Sequence, residues 1–264
     1  MKIATFNVNS LRARLANVTD WLKAASPDVA LLQEIKCTTA EFPRLEIEAL
    51  GYHTEALGQK TYNGVAILSK TPFKVVQKGL PGNEADEQAR YLEALVDVPS
   101  PGKWNQIRVA TIYLPNGNPV ESEKYPYKLE WMTHLKRHAA ALLKLEEPVV
   151  LGGDYNVIPT DRDVYDPAAW AEDALARPQT RAKFREILNL GYTDAFQHLH
   201  PEGHRYTFWD YQAGAWQRDN GLRIDHLLLS PQAADCLAAC EIDRSPRGKE
   251  KPSDHTPIWV DLQV

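Results

Sequence analysis

A mixed α/β fold built on two packed sheets is what this sequence predicts, from three observations. Short runs rich in Val, Ile and Leu recur along its 264 residues, patterns of helical period separate some of them, and Pro/Gly turns join others directly. With 44% apolar residues, and 30 Lys+Arg against 35 Asp+Glu for a formal charge of -5, the chain is a soluble globular protein with a large core. No Gly/Ser-rich or low-complexity stretch offers a linker, so residues 1–264 read as one domain.

The strands are expected at residues 3–8, 28–33, 64–69, 91–96, 107–114, 148–152, 223–229 and 256–262, where apolar runs of strand length stand between turn residues. Leu11, Leu15, Val18 and Leu22 fall on one helical face, and the stretch from Ser122 to Leu145 is long, charged and punctuated by apolar residues. Alternation of strand and helix favours parallel pairing. Pro81-Gly82, Pro101-Gly102 and Pro115-Asn116-Gly117 instead turn the chain back at once, so part of the sheet structure is antiparallel. Two mixed sheets packed face to face, with helices outside, hold this many strands.

Three cysteines, Cys37, Cys236 and Cys240, are an odd number without zinc-ligand spacing. They fit a reducing compartment, and no apolar run approaches the ~20 residues that span a bilayer, so the expected location is the cytoplasm, away from membranes. Mild net acidity argues against nonspecific coating of polyanions, yet leaves room for a local basic groove, because charges are screened over about 8 Å.

Polar residues that are costly to bury stand where the apolar strands stop. Asn7 closes the first, Gln33-Glu34 the second, Tyr113 the fifth, and Asp154 with Asn156 the sixth; Asp254-His255 precede the last, and Asp225 lies within the seventh. On a shared rim these groups converge. Taken singly, each has an ordinary reading: Glu34 a loop acid or cap, Asn7 and Asn156 turn residues, Tyr113 a core aromatic, Asp225 a turn cap or a partner for Arg223. Ser253-Asp254-His255 is harder to set aside, because Pro252 and Pro257 pin the backbone around an acid and an imidazole. Together, the carboxylates of Glu34, Asp154 and Asp254 with the amides of Asn7 and Asn156 form a hard, oxygen-rich set suited to Mg2+ or Mn2+. His255, with a neighbouring Asp225 to raise its pKa, adds a group that titrates near neutrality. Such a set serves phosphodiester hydrolysis, which needs an activated water, neutralised phosphoryl charge and help for the leaving oxygen.

The segments Phe-Asn-Val-Asn-Ser-Leu-Arg-Ala-Arg (6–14), Leu-Gln-Glu-Ile-Lys-Cys (32–37), Tyr-Leu-Pro-Asn-Gly (113–117), Gly-Gly-Asp-Tyr-Asn-Val (152–157), Gly-Leu-Arg-Ile-Asp-His (221–226) and Lys-Pro-Ser-Asp-His-Thr-Pro (251–257) occur in this order along the whole chain. In this the sequence resembles the exonuclease III family of abasic-site endonucleases, within the endonuclease/exonuclease/phosphatase superfamily. Gly-Asp-x-Asn and Ser-Asp-His belong to the superfamily at large; Gln-Glu-x-Lys and Leu-Arg-Ile-Asp narrow the likeness to the nuclease branch. The resemblance implies a four-layered α/β sandwich and a Mg2+-dependent repair nuclease, with Mn2+ as substitute, that cuts duplex DNA at abasic sites and 3' ends and leaves a 3'-hydroxyl and a 5'-phosphate.

Carried over by position, the resemblance makes Glu34 the main metal ligand, with Asn7 and Asp254 nearby and Asp154, Asn156 and His255 around the same ion. Asp154 then orients or deprotonates the water, Asn156 donates to the phosphoryl oxygen, Tyr113 acts near the phosphate or leaving group, and His255 paired with Asp225 neutralises the scissile phosphate. Arg12, Arg14, Lys36 and Asn116 are candidates for DNA-backbone contact, and Phe208, Trp209, Leu222 and Ile224 for an apolar pocket that takes a flipped-out abasic sugar. The acidic runs at 84–87 and 161–173 are expected to face away from DNA. Two positions depart from the family pattern: Ser10 where Gly is usual, and Gln197 where Arg is usual. A positive φ at position 10 costs Ser about 1 kcal/mol or shifts the loop. The competing readings are a superfamily phosphatase acting on a soluble or lipid phosphoester, and a noncatalytic DNA-binding module. The simplest assembly is a monomer.

Overall fold

The computed structural model describes residues 1–100 and 102–264, so Pro101 of the expected Pro101-Gly102 turn lies outside the described residues. The strands are β1 (Lys2–Asn7), β2 (Val29–Gln33), β3 (His53–Leu57), β4 (Val65–Ser69), β5 (Phe73–Lys78), β6 (Tyr91–Asp97), β7 (Gln106–Tyr113), β8 (Val149–Asp154), β9 (Thr193–Asp194), β10 (Asp225–Leu229), β11 (Leu237–Ile242) and β12 (Ile258–Leu262). They form two six-stranded sheets, ordered β11-β12-β1-β2-β4-β3 and β5-β6-β7-β8-β10-β9. Every apolar run read from the sequence is a strand. The four that escaped that reading, β3, β5, β9 and β11, are the four sheet edges, where one side of the strand is free and polar residues such as His53, Lys74 and Glu241 interrupt the run.

Both sheets are mixed, and they are built alike. In one, β1 runs parallel to β2 and antiparallel to β12; in the other, β8 runs parallel to β7 and antiparallel to β10. Each sheet therefore brings two strand ends and one strand beginning to the same rim. Between the sheets, Leu31, Ile67, Val109, Val150, Leu227 and Val260 form a core without solvent contact, and truncating one such Leu to Ala costs about 2–5 kcal/mol. Gly152 permits the close approach: a Cβ there meets Leu31 Cδ1 at 2.7 Å and Leu227 Cδ2 at 2.8 Å.

Helices cover the outer faces. Val18, Trp21 and Leu22 of the helix Leu15–Ala25 pack on Phe6, Leu32 and Leu68, while Trp131, Met132 and Leu135 of the helix Lys124–Leu143 pack with Phe184 on Ile112 and Leu151. Helix, sheet, sheet, helix is the four-layered sandwich. Buried Gln33 ties the layers just behind the rim, its Nε2 donating to Thr5 Oγ1 and Thr111 Oγ1 at 2.9 Å each, one hydroxyl from each sheet. A polar tie between two apolar faces holds only in one register, and that register aligns the two sets of strand ends. Among the described residues no helix is long and apolar enough to cross a membrane.

Candidate active site

The rim groups converge. Asn7, last in β1, donates through Nδ2 to Glu34 Oε1 and to Asp154 Oδ2, 2.9 Å each, and so stands between two carboxylates from different sheets. Asp225 opens β10 in register with Asp154 at the end of β8. Its Oδ2 lies 2.8 Å from His255 Nδ1, and His255 Nε2 lies 3.7 Å from Asp154 Oδ2. Glu34, Asp154 and His255 bring one ligand atom each to within 4.8 Å of one another.

The backbone beside these groups is strained. Asn9, Ser10, Glu34, Lys36 and Asn156 all have positive φ, between 41° and 82°, next to the ends of β1, β2 and β8. Left-handed backbone costs a non-glycine residue of order 1 kcal/mol or more, and it persists where the surroundings over-determine it. Ser10 is one of the five, at φ 82°; the loop keeps the glycine-like conformation and Ser carries the cost. Asn9 supplies part of the determination, because Lys36 Nζ donates to its Oδ1 at 2.6 Å and its own Nδ2 donates to Asp254 Oδ1 at 3.0 Å.

Electrostatics separates the roles. Burial alone lowers an imidazole pKa, but Asp225 and Asp154 overcome it and hold His255 up at about 10, a cation at neutral pH. Burial pushes Asp154 up to about 7; His255 opposes that rise and Asp225 adds to it. Glu34 is lowered: burial raises it, and Lys36, 2.8 Å away, with Asn7 more than offsets that. A carboxyl near neutrality beside a group that is cationic at neutral pH is suited to taking a proton from water.

Two carboxylates facing one another with hard oxygen donors are a fit for a divalent cation, and Glu34 with Asp154 provides them. Asp254 lines the same cleft. The amide oxygens expected as ligands are turned elsewhere: Asn7 Oδ1 accepts from Asn9 N–H at 3.0 Å, and Asn156 Oδ1 accepts from Asn116 Nδ2 at 3.2 Å. Asn7 thus presents its nitrogen to the carboxylates. His255 brings a ring nitrogen to within 4.8 Å of carboxylate oxygens of Glu34 and Asp154.

The cleft over these groups has a volume of about 230 Å³. Tyr113, Asn116, Asn156, Phe208, Leu222 and Ile224 line it as expected. Phe208 also packs its ring edge-on to His255 at 5.1 Å. Trp209 does not reach it. As the next residue along an extended segment it points inward, fully buried, with Nε1 donating to Asp219 Oδ1 at 3.0 Å. Of the expected phosphate contacts, Arg14 is consumed within the protein, donating to Pro252 O, Asn9 O and Tyr211 Oη, while Arg12 stays exposed beside Glu41. Gln197 lies outside the cleft, donating to Pro201 O at 3.2 Å.

Several lining residues were not anticipated. Trp170 and Asp173 close one side, Asp173 holding Asn118 Nδ2 at 3.1 Å, so the acidic run 161–173 turns one carboxylate into the cleft rather than away. Nothing in its local pattern marks Asp173, because a loop carries it there. Asp163, in the same run, is buried against Arg223 at 2.7 Å with Asp194 on the other side at 2.8 Å; Arg223 is thereby spent, which leaves Asp225 to His255.

Comparison with known proteins agrees with this fold. The family model described as Endonuclease/Exonuclease/phosphatase family matches residues 4–255. Exodeoxyribonuclease III of Haemophilus influenzae is 32% identical, with 100% of each chain covered, and DNA repair nuclease APEX1 of Danio rerio is 30% identical over 100% of this chain and 83% of that one. Among solved structures, the Neisseria 3' phosphatase NExo bound to product DNA hairpin superimposes with a TM-score of 0.94 at 39% identity, and an AP endonuclease from Archaeoglobus fulgidus with 0.93 at 37%, each covering 100% of both chains. With family match, relatives and rim chemistry in agreement, this chain belongs to the endonuclease/exonuclease/phosphatase family, in its exonuclease III-like nuclease branch.

Proposed function

We propose that this protein is a Mg2+-dependent DNA repair nuclease, with Mn2+ as substitute, that hydrolyses phosphodiesters at abasic sites and 3' ends of duplex DNA. It acts as a monomer of one catalytic domain, residues 1–264, and its free Cys37, Cys236 and Cys240 suit the reducing cytoplasm. The observation that carries the reading is the juxtaposition of His255, bridged between Asp225 and Asp154, with an apolar wall of Phe208, Leu222 and Ile224 across one small cleft. At about 230 Å³ the cleft falls below the ~300–1,000 Å³ of drug-sized ligand pockets and suits one sugar with its phosphate.

Glu34 and Asp154, with Asp254 beside them, would hold the cation, which when bound would neutralise charge on a phosphoryl oxygen. The imidazolium of His255 contacts the scissile phosphate, oriented by Asp225. Asp154 takes the proton of the attacking water as its oxygen bonds to phosphorus, and the 3'-oxygen leaves with the bonding pair, giving a 3'-hydroxyl and a 5'-phosphate. Asn156 is fixed by Lys128 at its backbone carbonyl, by Asn116 at its Oδ1 and by Leu114 O, which takes one Nδ2 hydrogen; its second Nδ2 hydrogen, with Nδ2 3.4 Å from Asp154 Oδ2, is the preorganised donor to the phosphoryl oxygen. Removing one such donor costs about 3 kcal/mol in the transition state. Tyr113 is held as a neutral phenol by burial and by Glu34 and Asp154, and serves the leaving oxygen as a donor.

End-labelled cleavage of an abasic duplex, an intact duplex and a 3'-phosphate duplex, side by side with Mg2+, tests the reading. Nicking at the abasic site supports it. Release of phosphate from the third substrate alone would assign the narrower 3' phosphatase activity that the Neisseria relative bears in its name. Turnover of none of the three, with hydrolysis of a soluble phosphoester, overturns it.

A further inference from the structure

Lys128 joins the segments that follow β7 and β8 from below, beside the direct ties from Asn156 Nδ2 to Leu114 O and from Asn116 Nδ2 to Asn156 Oδ1. It lies in the helix Lys124–Leu143 with no solvent contact. Its Nζ donates to Asn156 O at 2.6 Å and to Asn116 O at 3.0 Å. Asn156 belongs to the loop that follows Asp154, the last residue of β8; Asn116 belongs to the loop that follows Tyr113, the last residue of β7. No carboxylate lies within ion-pair distance of Nζ among the described residues, so the amine is spent on two backbone carbonyls. Burying a lysine in that way is costly, and a Leu or Met would fill the same space at less cost. The loop is also shaped around the side chain: Gly117 has φ +88°, and a Cβ there meets Lys128 Cδ at 2.7 Å.

From this bridge we infer that Lys128 is a positioning residue for the phosphodiester hydrolysis, holding the loops of Asn116 and Asn156, which follow Tyr113 and Asp154, in one frame. The inference rests on the nuclease reading above. It concerns the chemical step and not DNA capture, because Lys128 is buried and does not line the cleft. An angstrom of relative movement between the two loops is the kind of displacement that costs about a hundredfold in rate.

The test is steady-state cleavage of an abasic duplex by the full chain and by Lys128→Met and Lys128→Arg, with the folded fraction measured by circular dichroism. For Lys128→Met, kcat per folded molecule is expected to fall about tenfold to a hundredfold with KM changed less than about twofold, and Lys128→Arg, which keeps donors for both carbonyls, is expected to recover most of kcat. If folded Lys128→Met keeps the wild-type kcat, or if kcat falls only as the folded fraction does, the inference is overturned. Should Lys128→Met fail to fold, Gly117→Ala takes its place: its methyl displaces the lysine stem and leaves the amine. A tenfold lower kcat per folded molecule is expected, and an unchanged kcat overturns the inference. A wild type that cuts no abasic duplex defeats the nuclease reading and this inference with it; a wild type and variants that cut alike defeat the inference alone.

Discussion

Asp225 and Asp154 face each other across the antiparallel pair β8–β10, and His255, arriving from the other sheet, contacts both. Two buried carboxylates at adjacent strand ends repel. The imidazolium between them relieves the repulsion, which is why its own proton is held to about pH 10.

Removing that cation leaves the phosphate and both carboxylates without a counter-charge. His255→Ala is expected to lower nicking of an abasic duplex at least about a hundredfold. Asp225→Asn keeps a hydrogen-bond acceptor but withdraws the charge that raises His255. The pKa of the imidazole then falls, so the alkaline limb of the pH–rate profile moves to lower pH. A limb that stays in place removes Asp225 from this role.

Glu34 stays ionised because Lys36 and Asn7 outweigh its burial, and so is ready for a cation. A chelator is expected to abolish nicking and added Mg2+ to restore it. Glu34→Gln should weaken Mn2+ binding in a calorimetric titration by tenfold or more, in the range of ~10–100-fold seen when a site partner is lost. Equal affinity in the two proteins would place the ion elsewhere.

Phe208 and Trp209 are neighbours with opposite fates. Phe208→Ala is expected to impair abasic-site cleavage with little change in thermal midpoint, since its ring faces the cleft. Trp209→Ala is expected to cost about 3–5 kcal/mol of stability, because that ring is wholly buried. Chemical denaturation and nicking assays on both variants check the division, and a reversed pattern sinks it.

Of the two arginines expected at the DNA backbone, Arg12 should register in the salt dependence of DNA binding. For the wild type, affinity is expected to fall roughly a thousandfold between about 50 and 200 mM salt if about six phosphates are contacted. Arg12→Ala, which removes an exposed guanidinium, should lower the slope of log affinity against log salt by about 1. Arg14→Ala instead loosens the loop that it braces through Asn9 and Pro252. A flat salt response favours a small phosphoester.

Away from the site, the buried network of Arg223, Asp163, Asp194 and His226 sets an acid limit on stability. Burial raises Asp194, yet Arg223 and His226 bring it below the ordinary carboxylate value; burial and Arg223 hold His226 below 6.5. The unfolded chain therefore binds protons first in both cases, and the contribution of these two groups to stability falls as pH drops, beginning near 6.5 with His226 and continuing through the carboxylate range with Asp194. Asp154, raised to about 7, has the opposite dependence, so the network is read as a difference: between pH 7 and 5.5 the denaturant midpoint of the wild type should decline relative to that of His226→Gln.

The interior of the fold was legible in the sequence because a strand with neighbours on both sides and sheets or helices on both faces has to be apolar throughout, as Val65–Ser69 and Asp225–Leu229 nearly are. Edge strands such as Phe73–Lys78 carry no such obligation. The rim residues were legible for the opposite reason: Asn7, Glu34, Asp154 and His255 are too costly to bury without a partner, and they interrupt apolar runs. The partners themselves were decided by tertiary structure. Whether Asp225 serves Arg223 or His255 depends on Asp163 and Asp194, which lie 60 and 29 residues from Arg223 along the chain. Trp209 and Phe208 have the same local signature, and only the packing of Trp216 and Asp219 sends one ring inward. A loop brings Asp173 to the cleft's side, and a helix brings Lys128 beneath the loops of Asn116 and Asn156, and their own patterns say nothing of it. Residue chemistry announces which groups need company, and long-range packing alone chooses the company.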